Sequence, residues 1–414
     1  MASGRKFRES RLLRLLSGGH FAWYTAGNCL SLLGTWMQRI ACSLVVWDLT
    51  QSPFWLGVLA AADLLPTVIL GPVGGAATDR WDALKLNRLC QFVLTLIAAS
   101  LAALFYANLL SLTFLISIVA VQGCVIALGQ SAKMTIVQEL VSRDDVPTAV
   151  AINSMNVNLA RLVGPALAGV VIVNMNVASV FLFNTFVTLV FVFVLQSVQS
   201  EGVRRERHSG KNVVTEIAEG FRYVASNADM RVMLMLLFAG GMFVRAIAEM
   251  LPAFAAHLSL VPATGLAVLT SSMAFGSVMA GLTMNSYLST SRLPFQITWA
   301  WLLASGAAGC FSGTNSIWVL AFFAMLMGYL TSVSLIATQT YVQLGTPSAL
   351  RGRTLSVHGL IFRASPSLGA LVLGFSSEFL GLRIPVSCSA AVMFVVALLC
   401  LPKASKMRFR PDDV

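Results

Sequence analysis

Six ionisable side chains stand inside long apolar runs of this sequence: Arg39, Arg161, Arg245 and Arg363, with the acids Asp63 and Glu249. A charge at the centre of a membrane-spanning helix costs ~2.5–3.5 kcal/mol on insertion scales, so six uncompensated ones would cost roughly 15–21 kcal/mol. Groups that survive at such a cost are paired with one another or face water. Four bases against two acids leave an excess of guanidinium, whose planar fork matches carboxylate or catecholate oxygens two at a time. The expected ligand is therefore a small anion held by Arg39, Arg161, Arg245 and Arg363. Burial favours the neutral form of a carboxyl, which can then take up and release a proton near neutral pH. Asp63 and Glu249 are the candidates for that role. Trp36 and Tyr24, deep in the first run, either stack on an aromatic ligand or simply pack between helices.

Depth suggests partners. Arg39 precedes the end of its run by about as many residues as Asp63 follows the start of the next. At ~1.5 Å per residue both lie ~12–14 Å below the same membrane face. Arg245 and Glu249 are spaced i,i+4, on one face of an α-helix. Each pair is either a structural salt bridge or part of a working site. Arg161 and Arg363 have no acid near their depth in their own runs.

The elements that must carry these residues are transmembrane helices. Of 414 residues, 57% are hydrophobic and 11% charged, and mean hydropathy is +0.80. Soluble chains hold about 25% charged residues. The apolar runs fall at 21–47, 54–78, 87–108, 111–132, 147–174, 177–197, 231–256, 263–286, 294–313, 316–340, 354–379 and 384–401. Each is long enough for a helix to cross ~30 Å of hydrocarbon. None alternates with the period of two that a β-barrel strand requires. The longest polar break sets the expected domains: a six-helix bundle over 1–197, a linker over 198–230 and a second six-helix bundle over 231–414. Within the linker, Arg204, Arg205, Arg207 and Lys211 precede a segment, 215–228, whose Ile217, Phe221 and Val224 recur at helical spacing. An amphipathic helix on the membrane surface is expected there.

Lys and Arg occupy the N-terminal tail, including Arg5, Lys6, Arg8, Arg11 and Arg14, then the even-numbered loops and the C-terminal tail. The odd-numbered loops hold only Arg383. Basic loops stay on the cytoplasmic side, so both termini are expected in the cytoplasm of a multi-pass inner-membrane protein. The basic N-terminus precedes a first run too long for a signal peptide and is read as belonging to a retained span. The net charge of +11 is spread as topology signals facing lipid head groups, which argues against a nucleic-acid partner. Trp47, Trp55, Trp81 and Trp318 fall at run ends and read as interfacial anchors. His20, His208, His257 and His358 read as surface or interface residues. All seven cysteines lie in apolar runs without a CxxC pair, so no metal or redox site is expected. No HExxH, no paired intramembrane aspartates and no large soluble domain are present, which leaves an enzyme or sensor as a remote reading.

Short motifs narrow the class. Gly75-Ala-Ala-Thr-Asp79-Arg80, followed by Lys85, resembles the GxxxDR signature between the second and third helices of the major facilitator superfamily. The resemblance implies that these residues gate one of the alternating-access states. Asp82 and Leu84 depart from the pattern, and the matching segment Gly281-Leu-Thr-Met-Asn285-Ser286 lacks the charged pair. The segments Ser31 to Arg39, Leu49 to Pro53 and Asn153 to Gly169, with Glu219-Gly220-Phe-Arg222-Tyr223-Val and Leu350-Arg351-Gly352-Arg353, resemble the branch containing enterobactin exporters and macrolide efflux proteins. Gly164-Pro165 partly matches an antiporter signature, either as a bend that couples to rocking or as a packing kink. Gln122-Gly123 matches the end of an RxxQG motif whose arginine position is Val119, against a drug-antiporter proton relay.

The resemblance spans about residues 12–400. It implies an all-α membrane protein of the major facilitator fold: twelve transmembrane helices in two six-helix bundles around a central cavity. The activity it implies is secondary transport, with a small molecule exported by proton antiport, without a cofactor, by a monomer in the lipid bilayer. Siderophore-like anions lead; macrolide or multidrug efflux is the alternative, for which a cation-binding cavity would show excess acid. Import is left open by the sequence.

Overall fold

A computed structural model describes residues 14–198, 213–258, 261–287, 292–348 and 350–407; within these, the side chains at 72, 73, 75, 76, 79, 213, 214, 216, 217 and 285–287 are not described. The expectations placed on Arg5, Lys6, Arg8 and Arg11, on Arg204, Arg205, Arg207, His208 and Lys211, and on the side chains of Gly75, Asp79, Ile217 and Asn285 lie outside the described residues.

The described residues are helical almost throughout. The helices are α1 (His20–Thr50), α2 (Pro53–Arg80), α3 (Ala83–Tyr106), α4 (Leu112–Glu139), α5 (Val146–Asn174), α6 (Val177–Ser197), α7 (Val213–Ser226), α8 (Ala228–Phe243), α9 (Leu251–Leu258), α10 (Pro262–Tyr287), α11 (Leu293–Ser312), α12 (Ile317–Leu344), α13 (Arg351–Leu380) and α14 (Arg383–Lys406). Among the described residues, eleven helical segments are long and apolar enough to cross a membrane. The remaining expected span is α11, which at 20 residues has the length to cross. Its lower hydropathy has a structural reason. Thr298, Trp301 and Ser305 are fully buried within its unit, so this helix spends polar residues on internal packing rather than on lipid.

Sharp turns are made with local hydrogen bonds. Gln51, at φ +50°, joins α1 to α2, and its backbone N–H donates to the Trp47 carbonyl at 2.7 Å. Asp82, which replaces a glycine of the signature, caps α3 by accepting from the Lys85 N–H at 2.7 Å. The substitution thus supplies a helix N-cap.

The chain forms two compact units: residues 1–45 with 66–209, and residues 46–65 with 210–414. In the first, α1, α3, α4, α5 and α6 share a core in which Tyr24, Cys90, Ile136, Phe191 and Leu195 are buried. Gly34 lies against Asn184 of α6, and Gly74 against the Ala127 carbonyl of α4. Small residues let helix backbones approach where no hydrophobic effect drives them together. A polar chain runs through this core. The Asn184 side chain donates to Gln38 at 2.7 Å, and Gln38 donates to Gln122 at 2.5 Å. All three are buried. Gln122, the remnant of the RxxQG motif, therefore has a packing partner, while Val119 is buried.

In the second unit α10 and α12 pack most closely. Gly276 faces the Met325 carbonyl, and Gly328 faces the Met273 carbonyl, at distances that exclude any side chain. The amphipathic helix is observed as α7. It docks on the start of α13 through an ion pair of Glu219 with Arg353, with Gly220 against the Arg353 carbonyl and the Tyr223 hydroxyl donating to the Gly345 carbonyl at 3.2 Å. The two motif segments at 219–224 and 350–353 are thus one packing unit, and Phe221 remains exposed.

The seventh span is not a continuous α-helix. Between α8 and α9, residues Arg245–Met250 form a 3-10 helix. Four residues subtend about 120° there rather than about 40°, so Arg245 and Glu249 do not keep an α-helical register.

Candidate functional site

The six intramembrane charges are all half-buried. None projects fully into lipid and none is sealed in the core, as their cost demands. Arg39 and Arg161 belong to the first unit; Asp63, Arg245, Glu249 and Arg363 belong to the second.

In the first unit, α1 and α5 meet at Trp36. A Cβ on Gly164 would lie 2.7 Å from the Trp36 Cβ, so glycine is what admits the indole between these helices. Two guanidiniums then stack on that one ring, Arg161 at 5.1 Å and Arg39 at 5.5 Å from its centroid. Cation–π attraction contributes about 0.5–2 kcal/mol each, but two like charges over one ring repel. The Arg161 Nε is buried without a hydrogen-bond partner, and its guanidinium makes no hydrogen bond or ion pair among the described residues. Pro165 sits inside α5, which continues through it to Asn174.

The second unit repeats the arrangement with the roles exchanged. Here the aromatic residue is Phe362 of α13, and Arg245 stacks on it with 4.2 Å from guanidinium to centroid. Arg245 also donates to the Phe362 carbonyl at 2.8 Å. That carbonyl is four residues before Pro366, a proline within α13. Proline has no N–H to offer the carbonyl one turn back, and Arg245 fills the vacancy. Part of the Arg245 donor capacity is therefore structural. Arg363, the next residue, makes no hydrogen bond or ion pair through its guanidinium among the described residues; only its carbonyl is engaged, accepting from the Ser367 hydroxyl at 3.2 Å.

His358 is buried rather than at the surface. It lies two turns into α13, and its ring stacks on Phe362 with centroids 6.4 Å apart. Trp47 is likewise buried, edge-on to His257 at 5.6 Å, so it is a packing residue and not an interfacial anchor. Trp81 and Trp318 are exposed at helix ends. Tyr24 packs edge-on to Phe191 at 5.7 Å, and its hydroxyl reaches the Lys133 carbonyl at 3.4 Å. Lys133 is a further intramembrane cation. The apolar run was drawn to stop one residue short of it, whereas α4 extends to Glu139. Of the GxxxDR-like segment and the lysine after it, Arg80 and Lys85 are exposed at the α2–α3 turn. The described residues contain no cluster able to hold a metal ion, and the described cysteines are free thiols.

The described residues are helical, with eleven segments able to cross a membrane, and they share the major facilitator fold. The solved nucleoside transporter NupG has the same fold, with a TM-score of 0.74 at 12% identity over 94% of this chain and 100% of that one. Residues 13–409 match the family model described as transmembrane secretion effector, and the chain belongs to that family. It is 25% identical over 399 residues to the uncharacterized MFS-type transporter YfiS of Bacillus subtilis (strain 168), covering 91% of each chain. It is 24% identical over 399 residues to the enterobactin exporter EntS of Escherichia coli O81 (strain ED1a), covering 93% of this chain and 92% of that one.

Proposed function

We propose that this transporter exports a small anionic molecule across the inner membrane in exchange for protons, with both termini in the cytoplasm. The observation that carries the reading is the pair Arg161 and Arg363. Each is a half-buried guanidinium within an apolar helix, and neither has an anion beside it among the described residues. A fixed cation without a counter-charge in a low-dielectric setting attracts a mobile anion, and a bidentate guanidinium favours carboxylate or catecholate groups. A siderophore has that chemistry, and the likeness to a protein named as an enterobactin exporter supports it. The excess of base disfavours cationic drugs, which leaves macrolide or multidrug efflux as the alternative. Residues 1–197 and 231–414 are the two bundles proposed to alternate access, joined by 198–230.

Comparison of secreted metabolites from a deletion strain and its parent under iron limitation tests the substrate class. The mutant is expected to retain an iron-chelating anion that the parent secretes; unchanged secretion of every such anion would remove the siderophore reading. Asp63 or Glu249 is proposed to carry the coupling proton. Loaded vesicles should therefore show Asp63→Asn or Glu249→Gln export that no longer responds to an imposed pH gradient, while wild-type efflux rises with it. Normal gradient dependence in both variants would exclude these carboxyls as the carrier.

A further inference from the structure

Residues 46–65 pack against α13 within the second unit. Gly57 lies on the Ala370 carbonyl, and a Cβ on Gly374 would stand 2.6 Å from the Pro53 carbonyl. These contacts bring the α1–α2 turn to the C-terminal end of α13 and form an open surface cavity of about 470 Å³, lined by Thr50, Ser52, Phe54, Trp55, Phe375, Glu378 and Phe379, with the Glu378 side chain exposed.

The lining is a set of aromatic rings around one carboxylate. Phe54 meets Trp55 at 5.4 Å and Phe375 at 6.3 Å, and Phe375 meets Phe379 at 5.2 Å, all edge-to-face. The Ser52 hydroxyl donates to Glu378 at 2.6 Å. That bond orients the carboxylate without neutralising it, and Glu378 has no cationic partner among the described residues. Aromatic faces beside an uncompensated carboxylate recognise an organic ammonium: the rings supply cation–π attraction and the carboxylate the opposite charge. An aromatic belt alone would anchor a helix end at the interface, but it needs no carboxylate.

The surface beside the cavity is apolar. Leu368, Val372, Phe375 and Phe379 follow one another at spacings of four, three and four along α13, which places them on one stripe. Their exposures of 39%, 51%, 58% and 72% make that stripe a bare apolar track. It runs from the cavity toward the middle of the span. We infer that this cavity binds the ammonium head group of a membrane phospholipid, with Glu378 and the four rings holding the head group and an acyl chain lying along the α13 stripe. Glu378 is two residues from the end of α13, at the depth where head groups lie.

The test uses the full-length purified protein, partly delipidated in detergent, with bound lipid counted by native mass spectrometry after addition of phosphatidylethanolamine or phosphatidylglycerol. Wild type is expected to retain phosphatidylethanolamine about tenfold over phosphatidylglycerol, and Glu378→Gln, which keeps an acceptor for Ser52, to lose that preference. Phe379→Ala, at an exposed position where folding is not at stake, should weaken retention of phosphatidylethanolamine without altering that of phosphatidylglycerol. Free ethanolamine at millimolar concentration should displace neither. Equal retention of the two lipids by wild type, or an unchanged preference in Glu378→Gln, would overturn the inference. Displacement by free ethanolamine would do so too, by identifying a soluble cation as the ligand. None of these readouts depends on the transported substrate.

Discussion

Replacing Arg161 with alanine is expected to lower transport at least about thirtyfold while the protein remains inserted and folded. Truncating one partner of a desolvated charge pair costs about 2–5 kcal/mol, and 2 kcal/mol corresponds to roughly thirtyfold. The expectation rests on where the guanidinium is held. Trp36 supports it from one side at 5.1 Å, Gly164 keeps α5 close enough to α1 for that contact, and no described residue neutralises it. Arg161→Lys should recover part of the loss, since it keeps the charge but not the fork. Arg363→Ala should behave similarly. Arg245→Ala should differ by also lowering Tm, because the Phe362 carbonyl exposed by Pro366 would lose its donor. Efflux from loaded vesicles, normalised to inserted protein, reads the first effect, and thermal unfolding in detergent reads the second. Normal transport by both Arg161→Ala and Arg363→Ala would refute the anion-binding role.

Gly328→Val should cost about 3 kcal/mol of stability and lower Tm by roughly 5–10 °C, because overpacking against backbone cannot be relieved by a rotamer change. The built Cβ of Gly328 falls on the Met273 carbonyl, and that of Gly276 on the Met325 carbonyl. The contact is reciprocal, so Gly276→Val should do the same, and either would also disturb the Ser277 hydroxyl's bond to the Gly328 carbonyl at 3.2 Å. Gly281→Ala and Gly309→Ala, where nothing lies within 4 Å, are the controls and should leave Tm within a degree or two. Unfolding curves that fail to separate these two pairs would show that α10 and α12 can slide apart at little cost.

Most of the architecture was readable along the chain, for reasons tied to length and insertion cost. A run of about 20 apolar residues has few uses other than crossing a bilayer, and α1 to α6 and α8 to α14 follow the runs. The amphipathic segment was readable because Phe221 and Val224 recur at helical spacing, though only docking shows that Glu219 meets Arg353. The errors share a cause. Distance to a run end places His358 and Trp47 at surfaces, yet each is buried in its unit. Sequence position gives depth along a helix and says little about azimuth. Lys133 was missed because a hydropathy run ends where the composition changes, whereas α4 ends where its hydrogen bonds do.

The charges inside the spans were fixed by the sequence itself. Their number, sign and approximate depth follow from residue identity and from a cost that no soluble loop would impose. Which of the guanidiniums is left without a hydrogen bond or ion pair among the described residues was decided by packing. Arg245 is drawn onto Phe362 because Pro366, three residues after Arg363, frees a carbonyl at that spot. Arg161 is held over Trp36 because Gly164 has no side chain to keep the two helices apart. A carbonyl vacated on one helix and filled from another is a relation between segments more than a hundred residues apart, and only the folded chain brings them within 3 Å.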